Sequence, residues 1–453
     1  MTARRRGSAR FSWPRCRDGA SIHFLCPTRS LNTSRDQPSE CDPSATEPKL
    51  VGVSAEYRNN HYVPQWYQRR FIPADAPDRE LFLLDLKPGT FKVDTRKKVK
   101  RKALRRTGTR RCFAIDDLYT TRLEGVESRE LEKTFFGEID RRGQRAVEWF
   151  AADGWDGMYE EVLQDLMIFM STQKIRTPKG LDWLQGMSKG GQREDVLAAM
   201  GHLRSLYGAV WAECIWQIVD AGRSPTKFIV SDHPVTVYNH ACAPGNPLYT
   251  RGANDPDIRL HATHTIFPLS PNRLLILTNR SWACNPYRPP TEPRPNPNLF
   301  RAAMFNFLEM HQGRQLSETE VLAVNQLIKL RAYRYVAAGK EEWLYPERHG
   351  KIGWREVGDT ALLMPDPRPL TPNSEIIIGY KGGTTSAMDA YGRLPGQPEY
   401  TQEMAAEGDW GPLRRWQDEF EKRFGPDLRG GPWDRRRQSV QRDSAAGPQT
   451  TAG

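Results

Sequence analysis

The stretch REDVLAAMGHLRSLYGAVWAECIWQIVD, residues 193–220, decides the fold class. Val196, Met200, Leu203, Tyr207, Val210, Cys214 and Ile218 recur at intervals of three and four, which puts all seven on one side of a helix. The spacing predicts one long amphipathic helix over this stretch. Just beyond it the texture changes. KFIVS (227–231), TVY (236–238), HTIFPLS (264–270) and RLLILTN (273–279) are short β-type runs bounded by Pro, Gly and Asn. On the N-terminal side, LFLLDLK (81–87) reads as a buried strand with KPGT turning into FKV. Helices are predicted over 126–152, where Leu131, Phe135, Ile139, Val147 and Phe150 recur near the helical period, and over 159–176, stopped before Pro178. A further helix is expected over 317–337, opened by a capping box of Ser317 and Glu320. EIIIGY (375–380) reads as a strand and 412–424 as a last amphipathic helix. No internal repeat interrupts this pattern. The sum is an α+β chain, a group of long helices packed with short, mostly antiparallel strands, and not an alternating βαβ array.

Composition bounds the rest. Among 453 residues, 13 Trp, 17 Phe and 15 Tyr are too many aromatics for a wholly disordered chain. No window approaches the ~18 uncharged apolar residues of a membrane span. Seven cysteines, an odd number, do not describe a disulfide scaffold, so the chain reads as soluble and cytoplasmic. Residues 1–54 and 431–453 are polar, lack either periodicity and are expected to be disordered. No Met falls between Met1 and Met158, so residues 1–54 also read as a mis-assigned start. Between the tails, 55–348 is expected to form the core and 349–430 a partly ordered C-terminal extension.

The net charge of +11 is unevenly placed. RKKVKRKALRRTGTRR at 96–111 holds ten Lys and Arg and no acid, and leaves most of the remaining chain acidic. A like-charged run reads first as an exposed loop. Its sharper reading is contact with nucleic acid or another polyanion through Arg96, Lys97, Lys98, Lys100, Arg101, Lys102, Arg105 and Arg106, since clustered cations release counterions. No aromatic interleaves the run to stack on bases.

HYVPQWYQRRF at 61–71 suits a short helix, with Pro64 able to take its first position. Gln65 and Arg69 then share a face, with His61 just before the start. This segment, with FMSTQKIRTP (169–178), FIVSDHPV (228–235), FPLSP (267–271) and VNQLIKLRAYRYVAA (324–338) in the same order, resembles the family catalogued as domain of unknown function 4238. The resemblance covers about residues 58–340 and implies a shared fold core without an established activity. One departure stands out: His233 occupies a position where the family more often has Asn.

The motif polars are His61, Gln65, Arg69, Gln173, Arg176, Ser231, Asp232 and Asn325. A His near neutral pKa, an Asp to orient it and an Arg to hold an anion are competent for acid–base chemistry. The favoured reading joins His61, Arg69 and Asp232 to the basic run, as a hydrolase or nuclease-like enzyme on a phosphate-bearing or nucleic-acid substrate. The alternative is a binding module whose motif polars are structural. Ser231 lacks a nucleophile-elbow context. Asp78, Asp85 and Lys87 imitate a nuclease metal motif, but read better as a strand's solvent side. His233, His240, His261, His264 and Cys242 lack zinc spacing, and KGG at 381–383 is no phosphate loop, so neither a metal nor a particular cofactor is assigned.

Overall fold

The computed structural model describes residues 59–76, 78–94, 97–116, 118, 121–123, 126–128, 136–152, 160–187, 193–245, 255–294, 310–350, 360–371, 375–379, 385–389, 394–396 and 411–430. Both expected tails lie outside these residues. In chain order the helices used below are α1 (Gln65–Arg69), α2 (Gly137–Ala151), α3 (Glu160–Arg176), α4 (Pro178–Met187), α5 (Arg193–Ala212), α6 (Arg280–Cys284) and α7 (Glu318–Arg331). The fold is α+β, and among the described residues no helix is long and apolar enough to cross a membrane.

Two sheets carry it. The larger has five strands in the order Thr236–Tyr238, His264–Pro268, Arg273–Asn279, Cys214–Asp220, Met310–Gln315, antiparallel except for the last pair. The smaller has four antiparallel strands in the order Val230–Ser231, Tyr335–Ala338, Glu80–Asp85, Leu104–Gly108. The five-stranded sheet is buried on both faces, which explains continuous apolar runs such as RLLILTN. Leu275 and Leu277 pack with α2, α3 and α5, whereas Leu274 and Ile276 pack with Val321, Val324 and Ile328 of α7. A third cluster seats Leu413, Trp416 and Phe420 of the helix Gly411–Phe424 against Ile215, Trp282, Met364 and Leu370.

Four expectations change. The helix read over 193–220 stops at Ala212, and Cys214–Asp220 is a strand. Its Ile215 and Val219 pack on one side of the sheet and Trp216 and Ile218 on the other, so two-sided burial mimics a helical stripe. The helix read over 126–152 begins at Gly137, and Val126–Ser128 pairs with Thr121–Leu123 (Leu131 and Phe135 lie outside the described residues). In 317–337 the capping box forms as expected, but Ala332 turns extended and Tyr335–Ala338 joins the smaller sheet. The basic run is not a loop: Lys97–Lys100 pairs with Thr90–Asp94, and Leu104–Gly108 is an edge strand. Cations are well tolerated on sheet edges, where they discourage pairing with another chain.

The junction of α1, α2 and α3 positions the site. Trp66 and Tyr67 lie against Phe169 of α3, with ring centroids 5.2 and 6.4 Å apart, and Tyr67 stacks on Phe267 at 5.4 Å. At Gly143 the two long helices touch so closely that an added Cβ would meet the Phe169 ring at 2.5 Å. That close approach brings α2 against α3 in the middle of the pair.

Candidate functional site

A cleft of about 270 Å³ opens between α1 and the α2–α3 pair, lined by His61, Gln65, Trp66, Arg69, Phe136, Asp140 and Arg176, with Pro64 and Gly137. Local geometry supplies the first group. His61 ends the strand Asn59–His61, and Gln65 and Arg69 follow one turn apart on α1. The second group arrives through packing. The buried Arg176 ion-pairs with Asp140 at 2.8 Å and lies over the Phe136 ring at 5.5 Å. Asp140 was not among the residues singled out from sequence; its only signal is an acid set beside the apolar stripe of α2.

His61 donates from Nε2 to the Arg110 carbonyl at 3.1 Å, which leaves Nδ1 as the basic nitrogen of a neutral ring. Burial, and more weakly the Arg69 cation, lower its pKa from the usual value, so the ring is a base at neutral pH. Gln65 accepts from the Thr109 hydroxyl at 3.2 Å. Arg69 is exposed, and among the described residues no carboxylate pairs with it. The indole N–H of Trp66 is buried without a partner among the described residues.

The other four motif polars lie elsewhere, each committed to backbone. Gln173 bridges the Tyr62 carbonyl (2.7 Å) and Arg176 Nε (2.8 Å), tying the two walls of the cleft together. Asp232 accepts from the amides of Tyr333, Arg334 and Tyr335 at 2.7–2.9 Å and does not line the cleft. Burial pushes its carboxyl up to about 6 in spite of those bonds. Ser231 accepts from the His233 amide at 3.2 Å, and Asn325 bridges Lys227 O and Ile229 N at 2.9 and 3.1 Å. The imitation nuclease motif is spent on ion pairs, Asp85 with Arg334 at 2.8 Å and Asp78 with Arg106 at 3.0 Å. Among the described residues no group of His, Cys, Asp and Glu is placed to hold a metal ion.

The last turn of α3 also faces a second constellation, a buried clasp. His233 meets Lys174 Nζ at 2.8 Å and Asp255 at 3.1 Å through Nε2, and Thr177 Oγ1 at 2.6 Å through Nδ1. Asp255 also pairs with Lys174 and, at 2.6 Å, with Lys179. Nε2 thus faces both the Lys174 ammonium and the Asp255 carboxylate and Nδ1 faces the Thr177 hydroxyl, so either tautomer of the neutral ring finds a partner at each nitrogen. Burial takes Lys174 down to about 8 and His233 to about 3. Burial alone would raise Asp255, but Lys174 and Lys179 hold it well below the usual carboxylate range. Lys174 and Lys179 went unread in the sequence; the visible trace is a lysine inside the otherwise buried run MSTQKIRTP.

Residues 59–342, well over half of the chain, match the family described as protein of unknown function (DUF4238). The chain belongs to that family. No curated protein and no solved structure matches it. The DUF4238 match spans the cleft, the clasp and both sheets, and ends before the segments 360–371 and 411–430 that pack on the larger sheet.

Proposed function

We propose that the chain is a hydrolase acting on a phosphate-bearing substrate held in the cleft. The observation that carries this reading is that His61, Gln65 and Arg69 share one 270 Å³ cleft with Arg176, a residue more than a hundred positions away, and that Asp140 joins them. His61, neutral and part-buried, takes at Nδ1 the proton of a water that attacks phosphorus, and the imidazolium returns that proton to the ester oxygen as its bond to phosphorus breaks. Arg69, a cation at the cleft with no paired carboxylate among the described residues, holds the phosphate. The Asp140–Arg176 pair and Gln173 hold the opposite wall in register and touch no reacting atom in this scheme.

The binding-module reading draws on one different observation. Gln173, Ser231, Asp232 and Asn325 spend their polar atoms on the fold, which suits a structural role for those four. His61→Ala, assayed on phosphate mono- and diesters with and without Mg²⁺, separates the two. The hydrolase reading expects a loss of about 10²–10⁴-fold in turnover with a nearly unchanged melting temperature. Turnover that survives the substitution, or none in the wild type, sinks it.

A further inference from the structure

We infer that the substrate is a single-stranded nucleic acid: one nucleotide enters the cleft while the flanking backbone follows the edge strand Leu104–Gly108. This rests on the cleft reading above and adds the class of substrate. The first support is continuity. The segment after the edge strand reaches the cleft rim, where Thr109 bonds Gln65 at 3.2 Å and the Arg110 carbonyl accepts from His61 at 3.1 Å. A chain lying on the strand is therefore led toward His61 along one continuous segment, residues 104–110.

The second support is the distribution of charge. Arg101, Lys102, Arg105 and Arg111 are exposed, and among the described residues no carboxylate pairs with any of them. Arg106 is different. It points to the opposite side of the strand from Arg105 and is answered by Asp78 at 3.0 Å and Glu80 at 3.6 Å. One side of the edge strand is thus neutralised and the other left cationic. Arg105 on the cationic side lies 6.0 Å over the Tyr335 ring, which holds it against the sheet. Arg69 at the cleft adds a further cation that no carboxylate among the described residues answers, and cations along a strand that leads to a cleft suit a phosphodiester backbone.

The third support is size and lining. A cleft of about 270 Å³ lies just under the usual ~300–1,000 Å³ range for ligand sites, room for one unstacked base with its phosphate and none for a duplex. Its lining includes the aromatic side chains of Trp66 and Phe136. The run itself carries no aromatic; the fold brings the stacking surface from α1 and from the start of α2. Single strands are recognised by this pairing of cations with aromatic faces.

The test uses the full chain and fluorescence anisotropy. The probes are a labelled single strand of about 12 nucleotides, as RNA and as DNA, its duplex, polyglutamate as competitor, and AMP, across about 50–200 mM salt. The expected result is tight binding of a single strand, weak binding of the duplex, and no displacement by polyglutamate. The combined variant Arg101→Glu, Lys102→Glu, Arg105→Glu should bind the single strand at least about tenfold more weakly, with the salt slope shallower by about 2 for three lost contacts. Its affinity for AMP should stay within about twofold of wild type, and Arg69→Ala should weaken both ligands. A triple variant that folds and binds the oligomer like wild type overturns the inference, as does equal affinity for the duplex; in either case AMP binding that still depends on Arg69 leaves the cleft reading standing. If Arg69→Ala changes neither ligand, both fall together.

Discussion

The cleft and the clasp are built on the same turn of α3 from nearly the same residue types. Each has a histidine, an aspartate and basic side chains, yet Gln173 and Arg176 turn toward one and Lys174 and Thr177 toward the other. They differ in how completely the polar atoms are used. In the clasp His233 has a partner on both nitrogens and Lys174 has His233, Asp255 and the Val235 carbonyl, all under cover. In the cleft Arg69 is exposed and unpaired among the described residues, and the Trp66 N–H is unpartnered there. A fully satisfied buried network holds structure together, whereas charge left unanswered beside a cavity is available for a ligand. Residue type alone would have assigned both regions the same role.

Four measurements would break or sharpen this contrast. The largest effect belongs to Asp255→Asn, which strands Lys174 and Lys179 in the interior with no carboxylate between them. A loss of about 3–5 kcal/mol in urea unfolding is expected, and a loss below about 1 kcal/mol would mean that water reaches the clasp. Next, His233→Ala should cost about 1–3 kcal/mol by taking one buried partner from each of Lys174, Asp255 and Thr177. His233→Asn should recover most of it, because an amide carries both a donor and an acceptor and can face the Lys174–Asp255 pair and Thr177 as the imidazole does. Equal damage from Asn and Ala would mean that the imidazole is used for something other than bridging.

Acid should act through the same histidine. Folded His233 titrates near 3 against 6.5 for a free imidazole, so below pH 6.5 the unfolded chain takes up a proton that the folded chain refuses. Stability from this group is complete above pH 6.5 and falls by on the order of 1 kcal/mol per pH unit toward 3. Asp255 adds a loss of the same sign below its usual carboxylate range. Asp232, raised to about 6, works in the opposite direction between 6 and 3.8, since the folded chain protonates it first. His264, His261 and His311, lowered by burial to about 3, 4 and 4, add losses of the same sign, so thermal melts at pH 7 and 5 should show a fall in wild type that is smaller, but not abolished, in His233→Asn. An equal fall in both would remove His233 from the account. The smallest effect is predicted in the cleft: Arg69→Ala should change stability by no more than about 0.5 kcal/mol, and a larger loss would make Arg69 part of the fold.

The fold was legible wherever one period dominated. Thr236–Tyr238, Arg273–Asn279 and the Ser317–Glu320 capping box formed as their local chemistry dictates. Legibility failed where a strand is buried on both faces. In Cys214–Asp220 apolar side chains serve both sides of the sheet, so a helical stripe can be drawn through them. The basic run failed differently: mutual repulsion argues for a loop, but pairing with Glu80–Asp85 and the acids Asp78 and Glu80 offset it. For the site, spacing alone grouped His61, Gln65 and Arg69, and the family resemblance of FMSTQKIRTP pointed to Gln173 and Arg176 while missing Lys174 between them.

The sequence by itself determined the α+β character, the one-sided grouping on α1 and the concentration of cation in one run, because each depends on neighbours within a few residues. The tertiary structure alone decided which aspartate faces which base. Asp232 went to three backbone amides, Asp255 to two lysines, and Asp140 to Arg176, across the helix pair that meets at Gly143 and Phe169. A carboxylate's role is fixed by which charges and how much water surround it, and those neighbours come from segments tens to hundreds of residues away.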